Sequence, residues 1–252
     1  FGMFFGAGNL IFPIILGAKA GASLVPALLG MLITAVGMPL LGIVALGVSR
    51  SSGLMQMSGR VAKWYSYFFT CALYLTIGPF FAIPRCAATS FTMGIAPLVS
   101  GSHTVPQAIF TTLFFAAVLF FALRPNNIMN SIGKYLNPIF LVCLGILVVA
   151  ALLDPIQSVR SVAASGAYAD NAFSTGFLQG YDTLDALASL AFGIIVVNVI
   201  KEMGVEEPGA IAKNTIQSGI FSMILMTVIY ALIAIVGAQS YGLYADQLGE
   251  AS

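Results

Sequence analysis

The sequence contains very little charge. Lysine and arginine together number 10 and aspartate and glutamate 9, so charged residues make up only 8% of the chain, whereas about 25% is usual in a soluble domain. Hydrophobic residues make up 59%, and the mean hydropathy is +0.99. Such a chain has too little polar surface to face water. Its net charge of +1 also gives no sign of a nucleic-acid partner.

Cysteine and histidine are scarce as well. The three cysteines, Cys71, Cys86 and Cys143, all lie inside apolar stretches, which does not indicate a disulfide framework. The single histidine, His103, has no metal-binding motif such as HExxH around it. The sequence therefore predicts no resident cofactor and no soluble metal-centred catalysis.

The sequence consists largely of long apolar stretches. They recur along the whole sequence, and each is long enough to cross a hydrocarbon core of about 30 Å. Their continuous patterning favours helices over barrel strands, so we predict an all-α membrane protein with a single transmembrane domain over residues 1–252. The predicted helices, numbered helix 1 to helix 7, cover residues 1–16, 24–48, 64–95, 105–123, 132–153, 175–200 and 211–237.

These boundaries leave Gly17 in the loop after helix 1. The sequence opens directly into apolar residues and stops soon after an apolar run, so we expect a fragment of a longer protein. The partner of such a chain is the lipid bilayer.

Positive residues are unevenly distributed among the predicted loops. Seven lie in the loops after helices 2, 4 and 6, namely Arg50, Arg60, Lys63, Arg124, Lys134, Lys201 and Lys213. The loops on the other side hold Lys19 and Arg160. Because cytoplasmic loops carry the excess of lysine and arginine, we expect these three loops and the missing N-terminus to lie in the cytoplasm of a bacterium, with the chain in its inner membrane.

Glycine interrupts two of the predicted helices. Residues 6–9 (GAGN) break helix 1, and residues 188–193 (ASLAFG) break helix 6. Backbone groups freed by a break are tolerated at membrane depth only inside protein or beside a polar cavity. Free N–H groups favour a carboxylate, and free carbonyls favour an ammonium group or a cation. Paired breaks therefore indicate a transporter site near the midplane, although glycines that only allow close helix packing would give a similar pattern.

Three charged residues lie well inside the predicted spans, away from their ends. Arg85 lies in helix 3, and Asp182 and Asp185 lie in helix 6. Intramembrane charges are candidates for function, and a pair between Arg85 and either aspartate would form an outer gate or a fixed link between two helices. The spacing of the aspartates also resembles half of the metal–diphosphate motif of membrane prenyltransferases. That chemistry requires a second carboxylate-rich motif, which this sequence does not contain.

Three longer motifs resemble the signatures of bacterial branched-chain amino acid:cation symporters. They are residues 5–13 (FGAGNLIFP), 78–85 (GPFFAIPR) and 180–193 (GYDTLDALASLAFG), and the resemblance spans essentially the whole chain. It implies the leucine-transporter-type fold of the amino acid–polyamine–organocation superfamily, a truncated inverted repeat with broken helices 1 and 6 around the substrate. Residues 1–153 would then form the first repeat, and residues 175–237 would begin the second.

The resemblance implies a symporter that imports leucine, isoleucine or valine, coupled to Na⁺ or alternatively to H⁺. The predicted substrate-binding residues are Gly6, Ala7, Gly8, Asn9, Tyr74, Thr76, Ala188, Ser189, Phe192 and Gly193. Asn9 and Ser189 would also offer oxygen atoms to Na⁺. Other functions stay open: a channel, which needs a continuous polar pore, a membrane transporter for a substrate other than an amino acid, and an intramembrane enzyme, which needs a second reactive cluster. The sequence does not predict the oligomeric state.

Overall fold

The computed structural model of the chain describes residue 2 and residues 4–250, apart from residues 50, 52, 100, 124–133, 136, 156, 157, 160, 161 and 206. For residue 208 and residues 241–250 it describes the backbone alone. Within these residues every regular element is a helix, as the hydropathy predicts. Arg50, Arg124 and Arg160, on which the orientation partly depends, and the predicted start of helix 5 lie outside the described residues.

The α-helices are α1 Ala7–Ala20, α2 Leu24–Leu32, α3 Met38–Ser49, α4 Leu54–Gly59, α5 Lys63–Leu75, α6 Ala82–Gly94, α7 Thr104–Ala122, α8 Asn137–Leu153, α9 Ala167–Tyr181, α10 Asp185–Glu202 and α11 Pro208–Glu250. A 3₁₀ turn, Gly21–Ser23, joins α1 to α2. Two π-helical turns, Ile33–Gly37 and Thr76–Phe80, continue α2 into α3 and extend α5 towards α6.

Several of these helices are long and apolar enough to cross a membrane. They are Ala7–Ser49, Lys63–Leu98, Thr104–Ala122 and Gly209–Ser240, with a fifth span if α9 and α10, bent by 40°, count as one. The first stretch has 43 residues, about 64 Å at the usual rise, or roughly twice the thickness of a hydrocarbon core. Gly21 divides it, because φ of 47° and ψ of −120° lie outside the helical region and turn the chain between α1 and α2. The chain is a multi-pass membrane protein.

Two glycines bring α1 and α11 into backbone contact. A Cβ on Gly17 would overlap the Ala234 carbonyl, and a Cβ on Gly237 would overlap the Ile14 carbonyl. Small residues that let two helices approach closely are the usual basis of packing in a membrane. The expectation that Gly17 lies in a loop is therefore wrong: α1 continues to Ala20, and Gly17 is buried against α11.

A second pair of glycines joins α2 to α9 in the same way. A Cβ on Gly30 would overlap the Phe173 carbonyl, and one on Gly176 would overlap the Ala27 carbonyl. The buried Thr34 hydroxyl adds a hydrogen bond of 2.8 Å to the Phe177 carbonyl. The largest hydrophobic cluster lies among these four helices, α1, α2, α9 and α11. By contrast, α7 has no buried residue.

Helix 6 is interrupted earlier than the sequence predicts. The break lies between Tyr181 and Asp185, where Leu184 adopts a left-handed conformation with φ of 63°. An L-residue occupies this region only at a cost in strain. The predicted break at residues 188–193 is wrong, because α10 runs through all of them. Within this helical segment, the side chain of Ser189 lies against Gly42 of α3.

Helix 3 also contains an interruption that the sequence analysis did not predict. Gly78 has φ of −83° and ψ of −110°, outside the helical region, and Pro79 follows it. Proline removes a backbone donor and disfavours the helical conformation in the residue before it. The chain turns helical again at Ala82, where α6 begins.

Candidate functional site

The N-terminal end of α1 lies against the break between α9 and α10. Gly6 is extended, and α1 begins at Ala7, so the expectation that residues 7–9 are unwound is wrong. A Cβ added to Gly8 would lie 3.6 Å from the Thr183 Cα and 3.2 Å from the Phe12 ring. Gly8 therefore lies close to the break, and a side chain larger than a methyl group would crowd this junction.

A buried hydrogen-bonded cluster joins the same helix ends. The Asn9 side-chain amide donates through Nδ2 to Asp185 Oδ2 at 2.5 Å and also to the Tyr230 hydroxyl. The Tyr230 hydroxyl in turn donates to Asp185 Oδ2 at 3.0 Å. Asn9, Asp185 and Tyr230 are only 1%, 2% and 0% exposed. The cluster thus links α1, α10 and α11 through one carboxylate oxygen.

Four carbonyl groups at the end of α9 accept hydrogen bonds from donors of the protein itself. They belong to residues 179, 180, 181 and 182. The Asp182 N–H donates to the Gln179 carbonyl at 3.1 Å, and the Leu184 N–H donates to the Tyr181 carbonyl at 3.0 Å. The Thr183 hydroxyl donates to the Gly180 carbonyl at 2.8 Å, and the Arg85 guanidinium donates to the Asp182 carbonyl. None of these four carbonyls is therefore unpaired, whereas the sequence analysis expected carbonyls without partners at the break.

Arg85 reaches Asp182 by a different route from the predicted ion pair. Its guanidinium donates to the Asp182 backbone carbonyl and lies 5.4 Å from the centre of the Phe12 ring. Within the described part of the chain, neither aspartate carboxylate forms a salt bridge with Arg85; the Asp185 carboxylate is held by Asn9 and Tyr230 instead. Arg85 thus connects α6 to α1 and to the end of α9.

The remaining predicted residues on α10 face its neighbouring helices. Gly193 packs against Leu46 of α3, and Ala188 contacts the main hydrophobic cluster. Phe192 belongs to a separate apolar cluster with Leu73 and Ala191. These contacts place no polar atom of the three residues at the break.

Tyr74 and Thr76, the predicted residues of helix 3, also bond away from the cluster. The Tyr74 hydroxyl makes a long contact of 3.5 Å with the Ala191 carbonyl. The Thr76 hydroxyl donates to the Ala72 carbonyl within its own helix. Neither hydroxyl therefore bonds to the cluster of Asn9, Asp185 and Tyr230.

The two predicted Na⁺ ligands have their oxygen atoms engaged. Asn9 Oδ1 accepts the Gly6 N–H at 3.2 Å, and the Ser189 hydroxyl donates to the Ala186 carbonyl at 2.7 Å. The orientation of the Asn9 amide follows from its neighbours, because the Gly6 N–H requires an acceptor and the carboxylate of Asp185 a donor. No group of three or more histidine, cysteine, aspartate or glutamate side chains is arranged to hold a metal within the residues the structure covers.

A cavity of about 370 Å³ borders the first turn of α1. Its lining is Gly2, Phe5, Gly6, Ala7, Leu10, Asn137 and Phe140. Backbone N–H groups in the first turn of a helix lack partners within the helix, so Ala7 brings such a group to an otherwise mainly apolar space. This volume falls within the range of about 300–1,000 Å³ typical of small-molecule sites.

The sequence analysis did not identify Thr183 or Tyr230. It predicted Asp185 as a possible partner of Arg85, whereas the structure shows hydrogen bonds to Asn9 and Tyr230. Tyr230 did carry a signal, because it is the one ionisable side chain within residues 219–238. A buried ionisable group in an apolar span is a candidate for function. Thr183 carried no signal beyond its place between the two aspartates.

Comparison with known proteins assigns the chain to a family. A family model described as "Branched-chain amino acid transport protein" matches residues 1–251. The chain is 53% identical over 242 residues to the branched-chain amino acid permease BrnQ of Lactobacillus delbrueckii subsp. lactis, a match that covers 95% of this chain and 54% of that protein. It is 42% identical over 241 residues to the BrnQ permease of Bacillus subtilis, with the same coverage.

A putative branched-chain amino acid carrier protein of Staphylococcus epidermidis is 40% identical over 239 residues, which is 94% of this chain and 53% of that protein. The chain thus spans about half the length of these relatives. No solved structure matches it. The relatives are named as permeases and carriers, which are transporters and not enzymes. The chain belongs to the branched-chain amino acid transport protein family.

Proposed function

We propose that the full-length protein imports leucine, isoleucine and valine across the bacterial cytoplasmic membrane, together with Na⁺ or H⁺, by alternating access. The names of the relatives support this class of substrate. The contact between Gly8 and Thr183 carries the proposal, because it joins the start of α1 to the break between α9 and α10. Two interrupted helices that meet in this way are typical of transporter sites.

The glycine contacts support an inverted repeat. In such a repeat, helix 1 corresponds to helix 6, and helix 2 corresponds to helix 7. If helix 1 packs on helix 7, the equivalent contact with the two repeats exchanged is that of helix 6 with helix 2. The contacts of α1 with α11 and of α9 with α2 form such a reciprocal pair, and each uses one glycine from either helix. The excess of lysine and arginine in the loops after helices 2, 4 and 6 favours the cytoplasm as the side that these loops face.

The substrate binds with its carboxylate at the first turn of α1, where the N–H groups of Ala7 and Gly8 favour an anion. Its aliphatic side chain enters the cavity beside Phe5, Leu10 and Phe140. One charge that moves down about 100 mV supplies about 2.3 kcal/mol, enough for more than a tenfold accumulation of substrate.

Uptake of labelled leucine by the purified full-length protein in proteoliposomes tests this function. We expect accumulation above the equilibrium level under an inward Na⁺ or H⁺ gradient, with competition by isoleucine and valine. Vesicles without protein, and vesicles without a gradient, are the controls. Ion conduction without leucine flux would identify a channel, and a lack of any leucine flux would contradict the proposal.

A further inference from the structure

Thr34 is the one residue with a polar side chain in the apolar stretch 24–48. It is 0% exposed. Its hydroxyl donates to the Phe177 carbonyl of α9 at 2.8 Å, across 143 positions of the sequence. Threonine side chains in membrane helices commonly form such bonds to a neighbouring helix. Thr34 therefore ties the helix after α1 to the helix that ends at the break.

The backbone around Thr34 is irregular. Ile33–Gly37 form the π-helical turn that continues α2, and single π-helical turns are frequent at functional sites. On the facing helix, a Cβ added to Gly180 would overlap the Thr34 Oγ1 atom. Gly180 is the last residue but one of α9, which ends at Tyr181. The Thr34 hydroxyl is thus held against one carbonyl and one glycine at the C-terminal end of α9.

The same end of α9 leads directly to the junction with α1. The Thr183 hydroxyl donates to the Gly180 carbonyl at 2.8 Å. The Thr183 Cα in turn lies 3.6 Å from the place that a Cβ on Gly8 would occupy. A shift of the end of α9 relative to Thr34 would therefore move Thr183 relative to the first turn of α1. Binding sites depend on supporting residues that hold such groups in place.

The Thr34 hydroxyl also has a second acceptor within reach. The Met31 carbonyl, one turn earlier in the same helix, lies 3.2 Å from Oγ1, and a hydroxyl has only one proton to donate. If α9 moves away, the hydroxyl can turn to Met31 and remain paired. Separation then leaves no buried donor without a partner, which would otherwise be costly. The bond to Phe177 can thus form and break during a conformational change at little cost.

We propose that Thr34 is a positioning residue for leucine transport. Its hydroxyl fixes the C-terminal end of α9 and thereby sets the affinity of the junction between Gly8 and Thr183 for the substrate. The inference rests on the proposed function and extends the transport machinery to α2. Thr34 acts through Gly180 and Thr183 and does not itself touch the substrate.

The test compares two buried threonines of the full-length protein in proteoliposomes. Thr34→Val replaces the hydroxyl by a methyl group, which removes the bond to Phe177 and presses on Gly180. The KM for leucine uptake should rise about threefold or more, the scale of one hydrogen bond between membrane helices. Thr34→Ser retains the hydroxyl and should keep a KM near that of the wild type. Thr215→Val is the matched control, because Thr215 is also 0% exposed but donates to the Ile211 carbonyl of its own helix at 2.8 Å.

Melting temperatures in detergent distinguish positioning from packing. Each valine variant loses one buried hydrogen bond, so both should lower the melting temperature, whereas only Thr34→Val should raise the KM. An equal KM in the two valine variants would overturn the inference, as would a Thr34→Ser variant as impaired as Thr34→Val. If Thr34→Val does not fold, Thr34→Ala removes the hydroxyl without pressing on Gly180 and should raise the KM in the same way. Absence of leucine uptake by the wild type would instead contradict the proposed function.

Discussion

Asn9 and Asp185 are 176 positions apart in the sequence, yet their side chains meet in a buried hydrogen bond of 2.5 Å. The bond connects the first turn of α1 to the first turn of α10. A Cβ on Gly8, the residue before Asn9, would lie 3.6 Å from the Thr183 Cα on the other side of the same junction. The start of α1 and the break between α9 and α10 are therefore joined by one polar contact and by the close approach of Gly8 to Thr183.

The first prediction concerns the close contact at Gly8. A Cβ there would press on Phe12 and touch Thr183, so Gly8→Ala should reduce leucine uptake moderately. Gly8→Val adds two methyl groups at the junction and should reduce uptake about tenfold or more, because overpacking costs about 1–3 kcal/mol. The measurement is uptake per folded full-length transporter. Gly145→Ala is the control, since no atom lies within 4 Å of a Cβ at that position on α8. Wild-type uptake by Gly8→Val would show that the substrate does not depend on this junction.

The second prediction separates packing from transport. Gly17→Val should destabilise the full-length protein by about 1–3 kcal/mol, because its side chain would collide with the backbone of α11 at Ala234. Thermal unfolding in detergent, compared with Gly145→Ala, measures the effect. An unchanged melting temperature would mean that α1 and α11 do not pack through these glycines.

The third prediction concerns the way Arg85 holds the end of α9. Because its partner is the Asp182 backbone carbonyl, Asp182→Asn should leave leucine uptake near the wild-type level. Arg85→Ala should reduce uptake about tenfold or more, since a hydrogen bond from a charged group is worth about 1.5–3 kcal/mol. Arg85→Lys should not restore full activity, because lysine lacks the planar group that lies over Phe12.

Uptake by these three variants, normalised to the folded protein, decides between main-chain contact and ion pair. If Asp182→Asn were as impaired as Arg85→Ala, the carboxylate would be the functional partner. Normal uptake by Arg85→Ala would remove Arg85 from the proposed gate.

The fourth prediction concerns the cavity at the start of α1. Phe140→Ala would enlarge it, so the preference for leucine over the smaller valine should change by about 1 kcal/mol or more, the scale of one methylene in an apolar pocket. Competition of unlabelled valine against labelled leucine measures this preference. Phe221→Ala, at a side chain 70% exposed on α11, should leave it unchanged. Equal preferences in Phe140→Ala and wild type would place the side-chain pocket elsewhere.

The amino-acid sequence determined the class of the protein and its family. An apolar stretch long enough to span the bilayer predicts a membrane helix without knowledge of its neighbours in the fold, because the whole stretch must be kept out of water. The three motifs indicated the family that the comparisons then assigned. The sequence also indicated that helix 6 is interrupted, although the predicted break at residues 188–193 lies after the observed break between Tyr181 and Asp185.

Only the tertiary structure decided which groups meet at the junction. The composition of residues 188–193 favours a break, yet these residues are helical, and Ser189 packs against Gly42 of α3. Either Asp182 or Asp185 was expected to pair with Arg85, but Asn9 and Tyr230 hold the Asp185 carboxylate, and Arg85 bonds to the Asp182 backbone. Hydropathy and motif spacing depend on neighbours along the chain, whereas the partner of a buried carboxylate depends on how distant helices pack. Gly17 and Gly237 bring α11 against α1, and that packing is what places Tyr230 beside Asp185.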